Sequence, residues 1–126
     1  MSLLLSACPT QQWQAVSLVN RDRAGAGLPG LDVDMPLNQK AQAWANYLAD
    51  SKGLAHSDLA DGPTPGWSRL GENVGYGASL EQVQDAFMNS PYHRGNILDP
   101  SYNSVGTGVA FDEDGMVYVV QVFATY

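Results

Sequence analysis

The side chains able to exchange protons near neutral pH are few in this sequence, and three of them carry the first functional hypothesis. The 2 histidines, His56 and His93, both lie at the edges of predicted elements, where functional sites collect. Glu72 lies in a glycine-rich stretch, residues 71–77, in which Val and Tyr neighbours could desolvate its carboxylate. A cluster of His56, Glu72 and His93 is therefore a hypothesis, which their separation in sequence neither supports nor excludes.

Two other patterns resemble reactive motifs but lack the residues that such motifs require. The glycines of 71–77 do not follow the G-x-G-x-x-G order of a phosphate-binding loop, no lysine follows them, and Glu72 would repel a phosphate. Ser90 lies close to His93, but a serine before a proline at a helix end is usually a stop signal, and no G-x-S-x-G elbow is present. A phosphate site is excluded, and a serine nucleophile is disfavoured.

Three predicted helices would position these residues. The first covers 10–26, with an inward face at Trp13, Val16, Asn20 and either Arg23 or Ala24. The second follows Asp34 as its N-cap and ends near Gly53, with an inward face at Leu37, Ala41, Trp44 and Leu48. The third begins at the capping pattern of Ser79 and Gln82 and ends before Pro91, with an inward face at Leu80, Val83 and Phe87.

A β-hairpin is predicted for the end of the chain. Bulky residues at 105, 107, 109 and 111 alternate with small ones, a turn follows at 112–115, and a Val-rich strand covers 116–124. Because the last strand is apolar on both faces and helices precede the hairpin, we predict an α+β fold, a three-layer α-β-α sandwich around a small, mostly antiparallel sheet. Gln121 interrupts one apolar face, so its amide either is hydrogen-bonded in the core or faces a cavity.

The composition excludes several classes of partner. The 126 residues suffice for one domain, and a hydrophobic content of 44% excludes disorder for most of it. A formal net charge of -7 and a pI near 4.4 would repel nucleic acid. Anionic membranes are repelled for the same reason unless a covalent lipid provides the attachment. We expect a monomer without a nucleic-acid partner.

The first residues carry a possible lipidation signal. Leu3-Leu4-Leu5-Ser6-Ala7-Cys8 resembles the lipobox of bacterial lipoproteins, whose cysteine is lipidated after cleavage. No basic segment precedes it, and the apolar run is shorter than the ~7–15 residues of an export segment. Residues 1–8 are therefore interpreted as the remnant of a signal peptide and lipobox or as a cloning scar, with Cys8 as the candidate lipidation site and 9–126 as the domain. An ordinary apolar N-terminus with an incidental cysteine stays open as an alternative.

Four motifs occur in an order that points to a known family. They are Leu54-Ala55-His56-Ser57, Gly71-Glu72-Asn73-Val74, the segment 88–98 and the ending 118–123. Over residues 13–124 the chain resembles the CAP superfamily of cysteine-rich secretory proteins, antigen 5 and pathogenesis-related plant proteins, in its compact, disulfide-free bacterial form. Each motif alone is weak, whereas four of them in order are specific.

The resemblance implies an α-β-α sandwich, an extracellular or cell-surface location, and a shallow cavity lined by two histidines and acidic side chains. The motif positions assign His56, Glu72 and His93 to this cavity. Eukaryotic relatives have another glutamate just before the second histidine; this chain has Ser90 in that place, and Asp85 lies too early on the helix to replace it. The remaining candidate cavity residues are Asn73 and Gln121.

Two functional hypotheses follow from the resemblance. The His₂Glu set could hold Zn²⁺ or another divalent metal with an open fourth position, or could only form hydrogen bonds. The favoured hypothesis is a non-enzymatic, secreted or surface-anchored module that binds a small ligand, a lipid or a cell-envelope component. The alternative is a metal-dependent, peptidase-like hydrolase, in which Glu72 would have to be either a ligand or the general base and could not be both.

Overall fold

A computed structural model describes residues 9–126, which contain four helices and four strands. The helices are α1 (Pro9–Gly25), α2 (Met35–Ser51), α3 (Leu80–Met88) and α4 (Pro91–Ile97). The strands are β1 (Asp32–Val33), β2 (Arg69–Gly77), β3 (Ser104–Phe111) and β4 (Val117–Thr125). They form one sheet in the order β1-β3-β4-β2, in which only the β1–β3 pair is parallel. None of the helices in 9–126 has the length and apolar character needed to cross a bilayer.

The sheet separates two apolar cores, which confirms the predicted three-layer α-β-α sandwich. One core lies between the sheet and α2, and the other lies between the sheet and the group α1, α3 and α4. Strand β4 is buried on both faces, because Val119 and Phe123 join one core whereas Val120 and Val122 join the other. This two-sided burial is what the Val-rich ending of the sequence predicts.

The predicted helix starts are confirmed by their capping bonds. The Asp34 side chain accepts a hydrogen bond from the amide of Leu37 at 3.1 Å, and the Ser79 hydroxyl accepts one from the amide of Gln82 at 3.1 Å. The end of α2 differs slightly from the prediction. The left-handed residue there is Lys52, with φ 54°, rather than Gly53.

The predicted inward face of α1 is wrong at Trp13, whose exposed fraction is 52%. The buried face of this helix consists of Ala15, Val16, Val19 and Arg23. These residues recur at the helical period, whereas Trp13 lies beside that stripe and lines a surface groove with Leu18 and Leu80. The aromatic ring was therefore a poorer guide to orientation than the small and branched residues around it.

Strand β2 and helix α4 were not predicted. Glycines at 71, 75 and 77 obscure the alternation of apolar and polar residues that would identify β2 as a strand. They lie on the face of β2 that other parts of the chain contact closely. A Cβ at Gly75 would lie 2.7 Å from the ring of Phe87, and one at Gly71 would collide with the Tyr102 hydroxyl. Pro91 does end the region of α3 as predicted, but it also opens α4 as a first-turn residue.

Arg23 has an unusually buried guanidinium, with an exposed fraction of 0%. Its Nε donates to the carbonyl of Pro29 at 2.9 Å, and its Nη1 donates to the carbonyls of Ile97 and Asp99, both at 2.9 Å. Burial lowers the pKa of Arg23, which the nearby Asp99 carboxylate partly offsets. The side chain thereby joins the end of α1 to the segment that follows α4.

Candidate functional site

The Glu72 carboxylate is buried, with an exposed fraction of 1%, and both of its oxygens are engaged. Oε1 accepts hydrogen bonds from Nδ1 of His56 at 2.8 Å and from the amide of Ser57 at 2.9 Å. Oε2 accepts a hydrogen bond from the Ser57 hydroxyl at 2.6 Å. Glu72 therefore fixes the His56 ring with its Nδ1 proton facing inward, so that Nε2 is left to meet a ligand.

The segment that carries His56 follows α2 and is held to that helix by Trp44. The indole Nε1 of Trp44 donates to the carbonyl of Ala55 at 2.8 Å. The His56 side chain itself is 53% exposed, so the ring is anchored at Nδ1 and open at its other edge. Ser57 and Trp44 were not among the predicted site residues, although Ser57 follows His56 directly in the motif that pointed to the site.

His93 lies in α4, and its ring is also held at Nδ1, here by a hydroxyl. Its Nδ1 is 2.9 Å from the hydroxyl oxygen of Ser90, which is the residue predicted to replace the missing glutamate. The His93 ring packs against Phe87, with ring centroids 5.0 Å apart. Tyr92 meets both imidazoles edge-on, at centroid distances of 6.2 Å from His56 and 5.4 Å from His93. Two imidazoles held at Nδ1 thus share one aromatic neighbour.

The environment of His93 lowers its pKa below the ordinary value. Burial is the main cause, and the proximity of His56 adds to it. Because the folded state then binds fewer protons than the unfolded state at pH values just below 6.5, we expect the stability to decrease as the pH falls through that value, until the lower folded pKa is passed. Thermal unfolding from pH 7.5 to 5 measures this dependence.

The His93→Gln variant tests the assignment of that pH dependence. It should lose part of the decrease below pH 6.5, whereas the wild-type imidazole, followed by NMR, should titrate below the value of a model peptide. A His93 pKa at or above 6.5 would contradict the prediction.

A row of buried amides connects the Asp22 carboxylate to the backbone of His93. Gln84 donates to Asp22 at 2.9 Å, Gln121 donates to Gln84 at 2.8 Å, and Asn73 donates to Gln121 at 3.0 Å. Asn73 also donates to the carbonyl of His93 at 3.1 Å and accepts from Asn96 at 2.9 Å. Gln121 is fully buried and bonded through both amide atoms, which resolves the two alternatives in favour of a satisfied core amide.

The structure brings most of the predicted site residues into one neighbourhood. His56, Glu72, Ser90 and His93 lie around Tyr92. Asn73 bonds to the backbone of His93, Gln121 bonds to Asn73, and neither amide faces solvent. Cys8, the candidate lipidation site, and the rest of 1–8 lie outside the described residues. Tyr92, which follows Pro91 in the motif, was not predicted as a site residue.

Of the two alternatives for the His₂Glu set, metal binding or hydrogen bonding, the described residues show the hydrogen bonds. Nowhere in the described part of the chain do three His, Cys, Asp or Glu side chains meet as metal ligands. The reason is visible at Glu72, because its oxygens already accept three hydrogen bonds from His56 and Ser57. The groups left for a ligand are the two imidazole Nε2 atoms.

Comparison with known proteins places this geometry in a family context. The model of the cysteine-rich secretory protein family, CAP, matches residues 16–123. The uncharacterized protein YkwD of Bacillus subtilis (strain 168) is 29% identical in an alignment 125 residues long, which covers 92% of this chain and 48% of that protein. The chain therefore spans about half the length of this curated relative.

Two solved structures show the same fold at low sequence identity. An outer surface protein from Borrelia burgdorferi aligns with a TM-score of 0.74 at 22% identity, over 87% of this chain and 88% of that one. An extracellular protein containing a SCP domain from Bacillus anthracis str. Ames aligns with a TM-score of 0.77 at 22% identity, over 94% of this chain and 41% of that one. Since the family match covers most of the domain, the chain belongs to the CAP family.

Proposed function

We propose that this protein is an extracellular or surface-attached CAP binding module, not an enzyme, and that its ligand contacts His56 and His93. Structurally similar proteins described as outer surface and extracellular support the location. The ligand class is a small molecule, a lipid or a component of the cell envelope. A lipid on Cys8 would provide the surface attachment, and mass spectrometry of the protein from a bacterial host tests for it.

The engagement of Glu72 is the observation that carries this proposal. A general base needs a lone pair that can reach the substrate, and the Glu72 oxygens are buried and accept three hydrogen bonds. The Ser90 hydroxyl lies 2.9 Å from Nδ1 of His93, but no carboxylate among residues 9–126 bonds to this ring to complete a Ser-His-acid triad. The arrangement holds two rings in place, which suits recognition better than bond cleavage.

The site is compatible with a divalent metal only if the protein provides two ligands instead of three. His56 and His93 would provide their Nε2 atoms, solvent or the ligand would complete the coordination, and Glu72 would orient His56 from behind. Carboxylate support of a metal-binding histidine is a common arrangement. A bound ion would supply a positive charge for anionic or carbonyl groups of the ligand.

One observation favours the hydrolase alternative. A carboxylate bonded to Nδ1 also prepares an imidazole to act as a general base through Nε2, and the Glu72–His56 pair has this geometry. Such an enzyme would show cleavage that depends on His56. The proposed binding module would bind without turnover.

Titration with Zn²⁺ separates these possibilities. We expect saturable binding at pH 7.5 that perturbs the NMR signals of both imidazoles and is lost in His56→Ala and His93→Ala. Glu72→Gln should weaken it by about 10- to 100-fold, because an outer carboxylate no longer orients His56. Asp85→Asn is the matched control, since Asp85 is an exposed acid on α3 and should leave the affinity unchanged.

Casein hydrolysis by the Zn²⁺-loaded protein provides the second readout. We expect no cleavage above the background of His56→Ala. Zinc-dependent cleavage that disappears in His56→Ala would contradict the binding module and support the hydrolase. If Zn²⁺ perturbs neither imidazole, the metal-dependent hydrolase is excluded, and the binding module stands without a metal.

A further inference from the structure

Among the strands of residues 9–126, β2 pairs only with β4 and therefore forms one edge of the sheet. The carbonyl of Glu72 accepts bonds from the Tyr92 hydroxyl at 3.5 Å and from the Asn96 amide at 3.3 Å, both on α4, so it points away from β4. Backbone groups of an antiparallel strand alternate between the two sides. The N–H and C=O groups of Val74 and Tyr76 therefore also face outward from the sheet.

Hydrogen bonds on the other side of the sheet confirm this alternation. Gln121 of β4 lies opposite Asn73 of β2 on one side and opposite Thr107 of β3 on the other. Because the N–H and C=O groups of one strand residue point to the same side, the Gln121 backbone can bond to only one of these two residues. The backbone of Thr107 bonds to side chains outside the sheet, so Gln121 must bond to Asn73. The odd-numbered residues of β2 accordingly face β4, and the even-numbered ones face outward.

The opposite side of the sheet is closed by side-chain amides. Beyond the two-residue β1, the Thr107 amide donates to Asn38 at 2.9 Å, and its carbonyl accepts from Gln12 at 2.9 Å. Gln42 bonds to both backbone groups of Val109, at 3.0 Å and 2.9 Å. Such capping prevents another strand from adding to this side of β3.

The β2 edge is capped at its flanks and open between them. Glu72 is covered by α4, and the amide of Ala78 donates to the Gln82 side chain at 2.8 Å. Within 9–126, no side chain bonds to the outward backbone groups of Val74 and Tyr76. Two donors and two acceptors are thus available on a three-residue stretch.

This open stretch forms the floor of a groove of about 240 Å³. Leu54 lines one wall, and α3 and α4 form the other wall through Val83, Phe87 and His93. Val74 is only 9% exposed, so its backbone groups are reached through the groove. The groove combines apolar walls with unpaired backbone groups and passes His93.

We propose that an extended peptide segment binds in this groove by adding a strand to Val74–Tyr76. This inference rests on the proposed binding function and names its partner class. An added strand would use the two donors and two acceptors, while its alternate side chains would contact Leu54 on one wall and Phe87 on the other. The net charge of -7 favours a neutral or basic peptide and opposes pairing of two copies of the chain through this edge.

The experiment selects peptides from a random heptapeptide library displayed on phage, and then titrates synthetic versions into ¹⁵N-labelled protein. We expect neutral or basic sequences, with saturable shifts and slowed hydrogen exchange at the amides of Val74 and Tyr76. The amides of Thr107 and Val109, on the capped side, should not respond. Light scattering checks that the protein stays monomeric.

Tyr76→Pro removes one outward N–H without removing a bond to β4, and we expect it to weaken binding by about 10-fold or more. Tyr76→Ala is its matched control, since it keeps the N–H and loses the exposed ring; it should bind within about 3-fold of the wild type. If Tyr76→Pro does not fold, N-methylation of the peptide amide that contacts the edge provides the reciprocal test. Equal binding by the methylated peptide would overturn the proposal.

Three further results would overturn it: no enriched peptide, binding without shifts at Val74 and Tyr76, or self-association that protects these amides in the absence of peptide. These failures are distinct from failure of the proposed function. Peptide binding can be absent while Zn²⁺ still perturbs both imidazoles, which refutes only the peptide site. Zinc-dependent, His56-dependent cleavage refutes the binding module even where Val74 and Tyr76 respond to peptide.

Discussion

Replacing Arg23 by alanine is expected to lower the free energy of unfolding by about 3–5 kcal/mol, because a large buried side chain is deleted and the carbonyl groups that it bonds lose their donor. The substitution removes the donors to the carbonyls of Pro29, Ile97 and Asp99 and leaves a cavity in their place. Equilibrium denaturation with urea at pH 7 measures the change, and the slope of the transition reports whether the compactness of the unfolded state is altered.

Two further variants identify the cause of that loss. Arg23→Met restores much of the volume but not the hydrogen bonds, so it should remain destabilised by about 1–3 kcal/mol because the buried carbonyl of Ile97 lacks a donor. Arg21→Met lies on the same helix at an exposed position and should change stability by no more than about 0.5 kcal/mol. If Arg23→Met is as stable as the wild type, Arg23 stabilises the fold by filling volume and not through its hydrogen bonds.

Gly106→Ala should be at least as damaging, with a loss of about 3 kcal/mol or more, beyond the usual cost of overpacking because backbone atoms would have to move. A Cβ at this position would collide with the backbone of Leu37 and Asn38, and one at Gly108 would collide with the backbone of Ala41. Helix α2 therefore lies directly on β3, and only glycine allows this approach. Thermal and urea denaturation of the purified variant measure the loss.

Gly95→Ala is the matched control for this prediction. Gly95 lies inside α4, and apart from its chain neighbours and the backbone of its own helix no atom lies within 4 Å of the added Cβ, so the change should stabilise the protein by about 0.5–1 kcal/mol through helix propensity. If Gly106→Ala is as stable as the wild type, α2 can shift on the sheet without cost, and the close contact has no role in holding it.

The fold could be predicted where local signals agree. Helix α2 has a capping residue, a first-turn proline and a clean apolar spacing, and the two-sided burial of β4 is evident from its valines. The sequence does not reveal β2, because the contacts that require Gly71 and Gly75 come from Tyr102 and Phe87, which are distant in the chain. Period-two reasoning needs side chains on both faces, and this strand has glycine on one of them.

The site was predictable in its members but not in their roles. Motif resemblance identified His56, Glu72 and His93, and it placed Ser90 where relatives have a glutamate. It did not indicate that the Glu72 oxygens accept hydrogen bonds from His56 and Ser57, because these bonds depend on the path of the segment after α2. Distances between elements decide whether a carboxylate is a ligand or a support, and one sequence does not contain them.

The buried amides between Asp22 and His93 share one polarity. A carboxylate can only accept, so Asp22 obliges Gln84 to present its NH₂ group, and Gln84 then obliges Gln121 and Asn73 to orient in the same sense. No member can rotate by half a turn alone without setting two donors or two acceptors against each other. The carbonyl of His93 is thus held at the end of a series of dipoles that starts at Asp22, and a charge reversal at Asp22 would have to invert all of them.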